Sequence, residues 1–231
     1  MAADHILAIS QAVRDGLVRR GVAPARIAVV YRGLDLDDFR RLRPEELETL
    51  RPALGLADAG PLLINVARLI SRKGQDTIIR ALPAVRHRHP RATLLLVGEG
   101  PYRARYEALA VAEGVSEAQE GTGVALLEAM AAARPCVVSD LPIFHEVLGD
   151  GAGLFVPAGR SDLFADAVTA LLDDPEGAAI LGRRARQAVG ERFDIRRNAL
   201  EFVKICQRVI ADAELAKVEA SGSRRGAVGI Q

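Results

Sequence analysis

Two cations follow a predicted strand of this 231-residue chain, at a place suited to bind a phosphate group. Arg68 and Lys73 lie between the apolar run 62–66, which predicts a strand, and a helix predicted over 75–87. Ligands of parallel sheets bind at the carboxyl ends of the strands, and a helix N-terminus carries partial positive charge. A guanidinium grips phosphate oxygens in a fork, whereas an ammonium acts as a point charge. The pair therefore predicts a diphosphate site; a solvated basic loop is the alternative interpretation.

A second candidate feature is the segment 119–128, at the start of another predicted helix. Gly121 and Gly123 leave backbone N–H groups accessible to an anion. Glu128 lies among apolar residues, where a carboxylate is costly unless it is paired. Because carboxylates accept hydrogen bonds from sugar hydroxyls, Glu120 and Glu128 are candidates for holding a ribose and a transferred sugar. The alternatives are a helix-dipole role for Glu120 and a buried ion pair for Glu128.

The elements that position these residues follow from the hydrophobic periodicity. Short apolar runs predict strands over 5–9, 26–31, 62–66, 93–97, 136–139 and 153–156. Amphipathic patterns predict helices over 11–20, 44–54, 75–87, 102–112, 123–133, 161–172, 176–191 and 195–215. Ser10 and Ser161 are predicted helix caps, and Pro83 is expected to bend or restrict its helix. The alternation predicts an α/β fold, a Rossmann-like parallel sheet with helices on both faces.

Composition excludes several classes of protein. The 31 basic residues balance 30 acidic ones, aromatics make up 4% and Trp is absent, which argues against nucleic-acid binding. Cys136 and Cys206 are too few and too far apart for a disulfide framework or a thiolate zinc site. Arg103 stands where a dinucleotide-binding fingerprint needs its third glycine, which argues against a nicotinamide-dependent enzyme.

His145 follows a predicted strand, and both a ligand contact and a surface or capping role are open for it. We expect a cytoplasmic protein, with peripheral contact at the inner face of a membrane as an open possibility.

Five motifs in order resemble the C-terminal half of GT-B glycosyltransferases of family 4, the glycosyl transferases group 1. The resemblance runs from about Asp4 to about Phe202. The motifs are 66–69 with 73–74, 96–101, 120–131, 135–140 and 153–157. The implied fold is a partial GT-B fold.

The resemblance also implies an activity: transfer of a sugar from a nucleotide-diphosphate sugar to a glycan, lipid or small-molecule acceptor, with retention. No metal or other cofactor would be needed. Arg68 and Lys73 would bind the diphosphate and stabilise the leaving group, Glu120 would contact the donor sugar, and Glu128 would contact the ribose. Backbone contacts to the donor would come from the adjoining segment Gly121, Thr122, Gly123 and Val124. The implied catalytic residues are Glu120, Arg68 and Lys73.

The sequence departs from this family in two ways. First, of the family's N-terminal acceptor domain only the end has a counterpart, in residues 1–33, and a linker follows over 34–60. The nucleotide-sugar domain is predicted over 61–215 and a disordered tail over 216–231. Second, the family usually has a strand-helix-strand unit of about 30 residues or more that is missing from this chain near 117–119. A non-catalytic or truncated nucleotide-diphosphate-binding module is therefore the alternative function, and a separate N-terminal chain or a homo-oligomer are candidate partners.

Overall fold

The computed structural model describes residues 5–39, 43–115 and 125–225. In these ranges, strands and helices alternate largely as predicted. The strands are β1 (Ile6–Ala8), β2 (Ile27–Val29), β3 (Leu62–Val66), β4 (Thr93–Val97), β5 (Val137–Ser139) and β6 (Leu154–Val156). The helices are α1 (Gln11–Arg19), α2 (Pro44–Ala53), α3 (Gln75–Arg88), α4 (Arg103–Ala112), α5 (Ala125–Ala131), α6 (Pro142–Leu148), α7 (Ser161–Asp173), α8 (Pro175–Arg192) and α9 (Ile195–Arg225).

The described strands form three parallel pairs, β1–β2, β3–β4 and β5–β6. The central pair is the longest, with Leu62 opposite Thr93 and Val66 opposite Val97. Parallel pairing with helical crossovers confirms the predicted α/β class. Ile64, in the middle of β3, is 61% exposed, although residues of a sheet interior are normally covered on both sides.

Contacts between residues divide the chain into two units. The first joins residues 1–35 to residues 192–231, and the second comprises residues 36–191. α9 therefore groups with the first strands rather than with the nucleotide-sugar domain in which it was predicted. The predicted linker over 34–60 falls almost entirely in the second unit.

The first unit is held together by contacts that are remote in sequence. Leu34 and Asp194 form a parallel bridge, and Nδ2 of the Asn198 side chain donates to the carbonyl of Tyr31 at 3.2 Å. The rings of Tyr31 and Phe193 meet edge to face, with centroids 5.2 Å apart. These contacts fix the start of α9 against the chain that follows β2. Ser10 caps α1 as predicted, accepting from the Val13 amide at 3.1 Å.

The core of the second unit centres on α3. Its buried apolar face, spaced for one side of a helix, contains Ile79, Leu82 and Val85. Buried residues of β4, including Leu94 and Leu96, belong to the same cluster, as do residues of α4 and α7. Each such side chain contributes about 1.5–3 kcal/mol through burial. The carboxyl end of β3 and the start of α3 are therefore attached to the best packed part of the unit.

Three local predictions differ from the structure. Arg160, not Ser161, is the N-cap of α7; its guanidinium donates to Asp162 at 2.8 Å and lowers the pKa of that exposed carboxyl to about 2. Helix α6 was not predicted, and it begins with Pro142 in its first turn. α9 continues beyond residue 215 to Arg225, so the first part of the predicted tail has a helical backbone.

Within the described ranges, no helix is both long and apolar enough to cross a bilayer.

Candidate functional site

Arg68 and Lys73 lie where the sequence predicts them, in the loop that joins β3 to α3. A short 3-10 turn, Ser71–Lys73, ends this loop and closes on Gly74, whose φ of 70° is a left-handed conformation that suits glycine. Both cationic side chains are exposed. Neither forms an ion pair with any other residue in the described ranges. Two cations thus stand at a strand's carboxyl end and next to a helix N-terminus.

The charge of this loop is strongly positive. Residues 67–76 contain three cations, Arg68, Arg72 and Lys73, against one carboxylate, Asp76, which leaves a net charge of +2. The buried Tyr106 phenol adds no charge near neutral pH, because burial raises its pKa and the nearby Asp76 raises it further. The loop therefore presents a local positive field to solvent, even though the whole chain is nearly neutral.

Backbone hydrogen bonds fix this loop to the turn that follows β4. The amide of Leu69 donates to the carbonyl of Glu99 at 2.9 Å, and the amide of Tyr102 donates to the carbonyl of Leu69 at 3.1 Å. Two residues before Leu69, the amide of Ala67 donates to the carbonyl of Val97 at 2.9 Å. The two loops therefore run side by side and extend the parallel pairing of β3 and β4 past the ends of the strands.

This close approach depends on Gly100. A Cβ at this position would lie 2.3 Å from the carbonyl oxygen of Leu69 and 2.8 Å from its carbonyl carbon. Both are backbone atoms, which cannot turn aside as a flexible side chain could. The sequence did not predict that the turn after β4 packs against the cationic loop.

Gln75 is a second residue whose contribution the sequence did not reveal. It is fully buried at the start of α3, and its Nε2 donates to the carbonyl of Arg68 at 3.0 Å. The amide of Ile70 donates to the same carbonyl at 3.0 Å. The spacing of Gln75 from Ile79 and Leu82 places it on the apolar face of α3, and a polar residue at such a position was the available signal.

The second predicted motif is only partly described. Glu120, Gly121, Thr122, Gly123 and Val124 lie outside the described residues. Glu128 lies on α5 and is half-buried, next to the buried Leu127 and near the fully buried Met130. In the described ranges, no ion pair or side-chain hydrogen bond joins Glu128 to another residue. The structure thus places Arg68 and Lys73 on one loop, but no described contact joins Glu128 to them.

His145 has a partner. Its Nε2 lies 2.6 Å from Oδ1 of Asp140, which directly follows β5, and its ring stacks on Phe155 with centroids 3.9 Å apart. The residues described by the structure contain no group of three or more His, Cys, Asp or Glu side chains arranged to hold a metal ion. The independence from metals implied by the family resemblance stays a prediction.

Comparison with known proteins gives the family. The family model for glycosyl transferases group 1 matches residues 47–120 and 114–188. A GDP-mannose-dependent monoacylated alpha-(1-6)-phosphatidylinositol monomannoside mannosyltransferase of Corynebacterium glutamicum is 30% identical over 189 residues, covering 68% of this chain and 50% of that protein. A GDP-mannose-dependent alpha-(1-6)-phosphatidylinositol monomannoside mannosyltransferase of Mycobacterium tuberculosis is 31% identical over 192 residues, covering 68% and 49%. The chain thus spans about half the length of these relatives.

The Corynebacterium alignment is longer than the part of this chain that it covers. Because 68% of 231 residues is about 157 residues, about 32 of the 189 aligned positions have no counterpart in this chain. The two segments matched by the family model meet at residues 114–120.

Solved structures agree in fold. The Anabaena protein HepE, crystallised with UDP and glucose, has a TM-score of 0.80 at 21% identity, covering 89% of this chain and 63% of HepE. The sucrose-phosphate synthase of Thermosynechococcus elongatus has a TM-score of 0.76 at 24% identity, covering 91% and 59%. The fold, the motif order and the family match agree, and the chain belongs to the glycosyl transferases group 1.

Proposed function

We propose that the loop over residues 67–74 binds the diphosphate of a nucleotide sugar, and that the chain takes part in transferring that sugar to an acceptor with retention. The observation that carries this proposal is the pair Arg68 and Lys73. Both are exposed cations without a described ion-pair partner, on a loop that hydrogen bonds fix at the carboxyl end of β3. Cations left without internal partners are available to an anionic ligand.

Such a site lowers the barrier to glycosyl transfer by stabilising the leaving group. Negative charge develops on the departing diphosphate, and the fixed charges of Arg68 and Lys73 meet it without reorganisation. Glu120 would contact the donor sugar and Glu128 the ribose, while backbone amides of the segment 121–124 would contact the phosphates. Under this proposal the transfer needs neither a protein nucleophile nor a metal ion, and the protein acts in the cytoplasm.

Relatives and structural neighbours suggest which donors to test first. The two mannosyltransferase relatives are named for GDP-mannose, and the HepE crystals contain UDP and glucose. GDP and UDP are therefore the first two probes. Those relatives are named for phosphatidylinositol monomannosides, which makes a lipid-linked acceptor and peripheral membrane contact part of this proposal.

A second candidate function is a diphosphate-binding module that does not transfer sugar. It is favoured by the shortfall of about 32 residues against the Corynebacterium relative and by the family match that breaks at residues 114–120. A lost strand-helix-strand unit would remove part of the base-binding pocket while leaving the 67–74 loop intact. If a separate chain or a second copy supplied the acceptor domain, sugar transfer would be restored under the first proposal but not under this one.

Calorimetric titration with GDP and UDP tests the diphosphate site. We expect Arg68→Ala to weaken binding about tenfold or more, because a hydrogen bond to a charged group contributes about 1.5–3 kcal/mol. The matched control is Arg91→Ala, which removes the same charge close to the amino end of β4. Equal affinities for the two variants would contradict the proposal. Release of sugar from GDP-mannose or UDP-glucose then separates the enzyme from the binding module.

A further inference from the structure

We propose that Gln75 is a positioning residue that fixes the direction of Arg68 at the diphosphate site. This inference rests on the proposed function and extends it to a residue that does not touch the ligand. Gln75 is fully buried, and its one described side-chain hydrogen bond goes to the backbone carbonyl of Arg68 at 3.0 Å. A buried amide donor has no water available as a substitute partner, so this bond has no competitor.

The bond acts on the backbone dihedral that directs the Arg68 side chain. The carbonyl of Arg68 accepts from the Ile70 amide, two residues later, and from Gln75. The next residue, Leu69, is bonded through both its amide and its carbonyl to the turn after β4. Arg68 is therefore the last residue before a segment held on two sides, and Gln75 supplies the contact that comes from α3.

The position of Gln75 connects this contact to the core. It shares the buried face of α3 with Ile79 and Leu82, so its side chain is anchored by the best packed helix of the unit. A glutamine whose role was only to fill space would need no amide, and methionine has nearly the same shape and flexibility. The Oε1 of Gln75 has no donor among the described residues, so replacement by methionine removes the bond to Arg68 and no other described hydrogen bond.

The test compares Gln75→Met with Ile79→Val, a mild core change one turn along the same buried face. We expect Gln75→Met to raise the Kd for GDP or UDP about five- to tenfold, and Ile79→Val to leave it within twofold. Combining Gln75→Met with Arg68→Ala should then raise the Kd less than twofold beyond Arg68→Ala alone, because the two residues act through one contact. The same fold-change in both backgrounds, or an equal effect of Ile79→Val, would overturn the proposal.

A second measurement decides the case without a nucleotide. Hydrogen exchange of the amides of residues 69–74 should be faster in Gln75→Met than in the wild-type chain and unchanged in Ile79→Val. Unchanged exchange in Gln75→Met overturns the positioning role. If the wild-type chain binds neither GDP nor UDP, the proposed function fails, and the exchange rates still decide whether Gln75 holds the loop.

Discussion

Replacing Gly100 by alanine tests whether the cationic loop is held by the turn after β4. The new Cβ would lie 2.3 Å from the carbonyl oxygen of Leu69, well inside contact distance, so one of the two loops must move. Moving Leu69 breaks its bonds to Glu99 and Tyr102, at 2.9 and 3.1 Å. At about 1 kcal/mol net for each backbone hydrogen bond, we expect a loss of about 2 kcal/mol.

Scanning calorimetry of the full chain measures this loss. For a protein of this size, 2 kcal/mol corresponds to a fall in Tm of about 4–8 °C. Gly16→Ala is the matched control, because it makes the same chemical change inside α1, where the nearest atom is the end of the flexible Arg19 side chain at 3.9 Å. It should stabilise the protein by about 0.5–1 kcal/mol. A Gly100→Ala protein that melts within 1 °C of the wild type and binds nucleotide equally well would refute the close-approach argument.

Two further predictions concern a buried thiol and an exposed strand residue. Burial raises the pKa of Cys136 to about 11, so at pH 8 only about one molecule in a thousand carries the thiolate. Iodoacetamide should therefore modify the half-buried Cys206 first. Alkylation of Cys136 in the folded protein should increase only as the pH rises towards 11. Rapid labelling of Cys136 at pH 8 would contradict this prediction. Ile64→Thr should change the free energy of unfolding in urea by less than about 0.5 kcal/mol, because Ile64 is 61% exposed. A loss above 2 kcal/mol would mean that another surface covers it.

The parts of the fold set by local pattern were predicted well. β3 and β4 have the predicted bounds residue for residue, because each is an apolar run between turn-forming residues. Since these strands define where the loops begin, Arg68 and Lys73 were placed correctly as well. The cap at Ser10 follows from the same local chemistry.

Contacts between remote residues could not be predicted in this way. The grouping of α9 with the first strands depends on the bridge between Leu34 and Asp194, which no local pattern indicates. The cap at Ser161 was wrong by one residue, because Arg160 instead takes the cap position and pairs with Asp162. The burial of Gln75 was readable from helical spacing, but its bond to the Arg68 carbonyl depends on how the loop folds back.

The helix that begins at the proposed site is also the hub of the hydrophobic cluster beneath it. α3 starts at Gln75, directly after Gly74, and runs through Ile79, Leu82 and Val85 into the core. A nucleotide sugar bound at the first turn of α3 would therefore stabilise the whole unit against thermal unfolding, and not only one surface segment. A dye-based melting screen across a panel of nucleotide sugars should therefore rank them by affinity and test the proposed donor site before any acceptor is known.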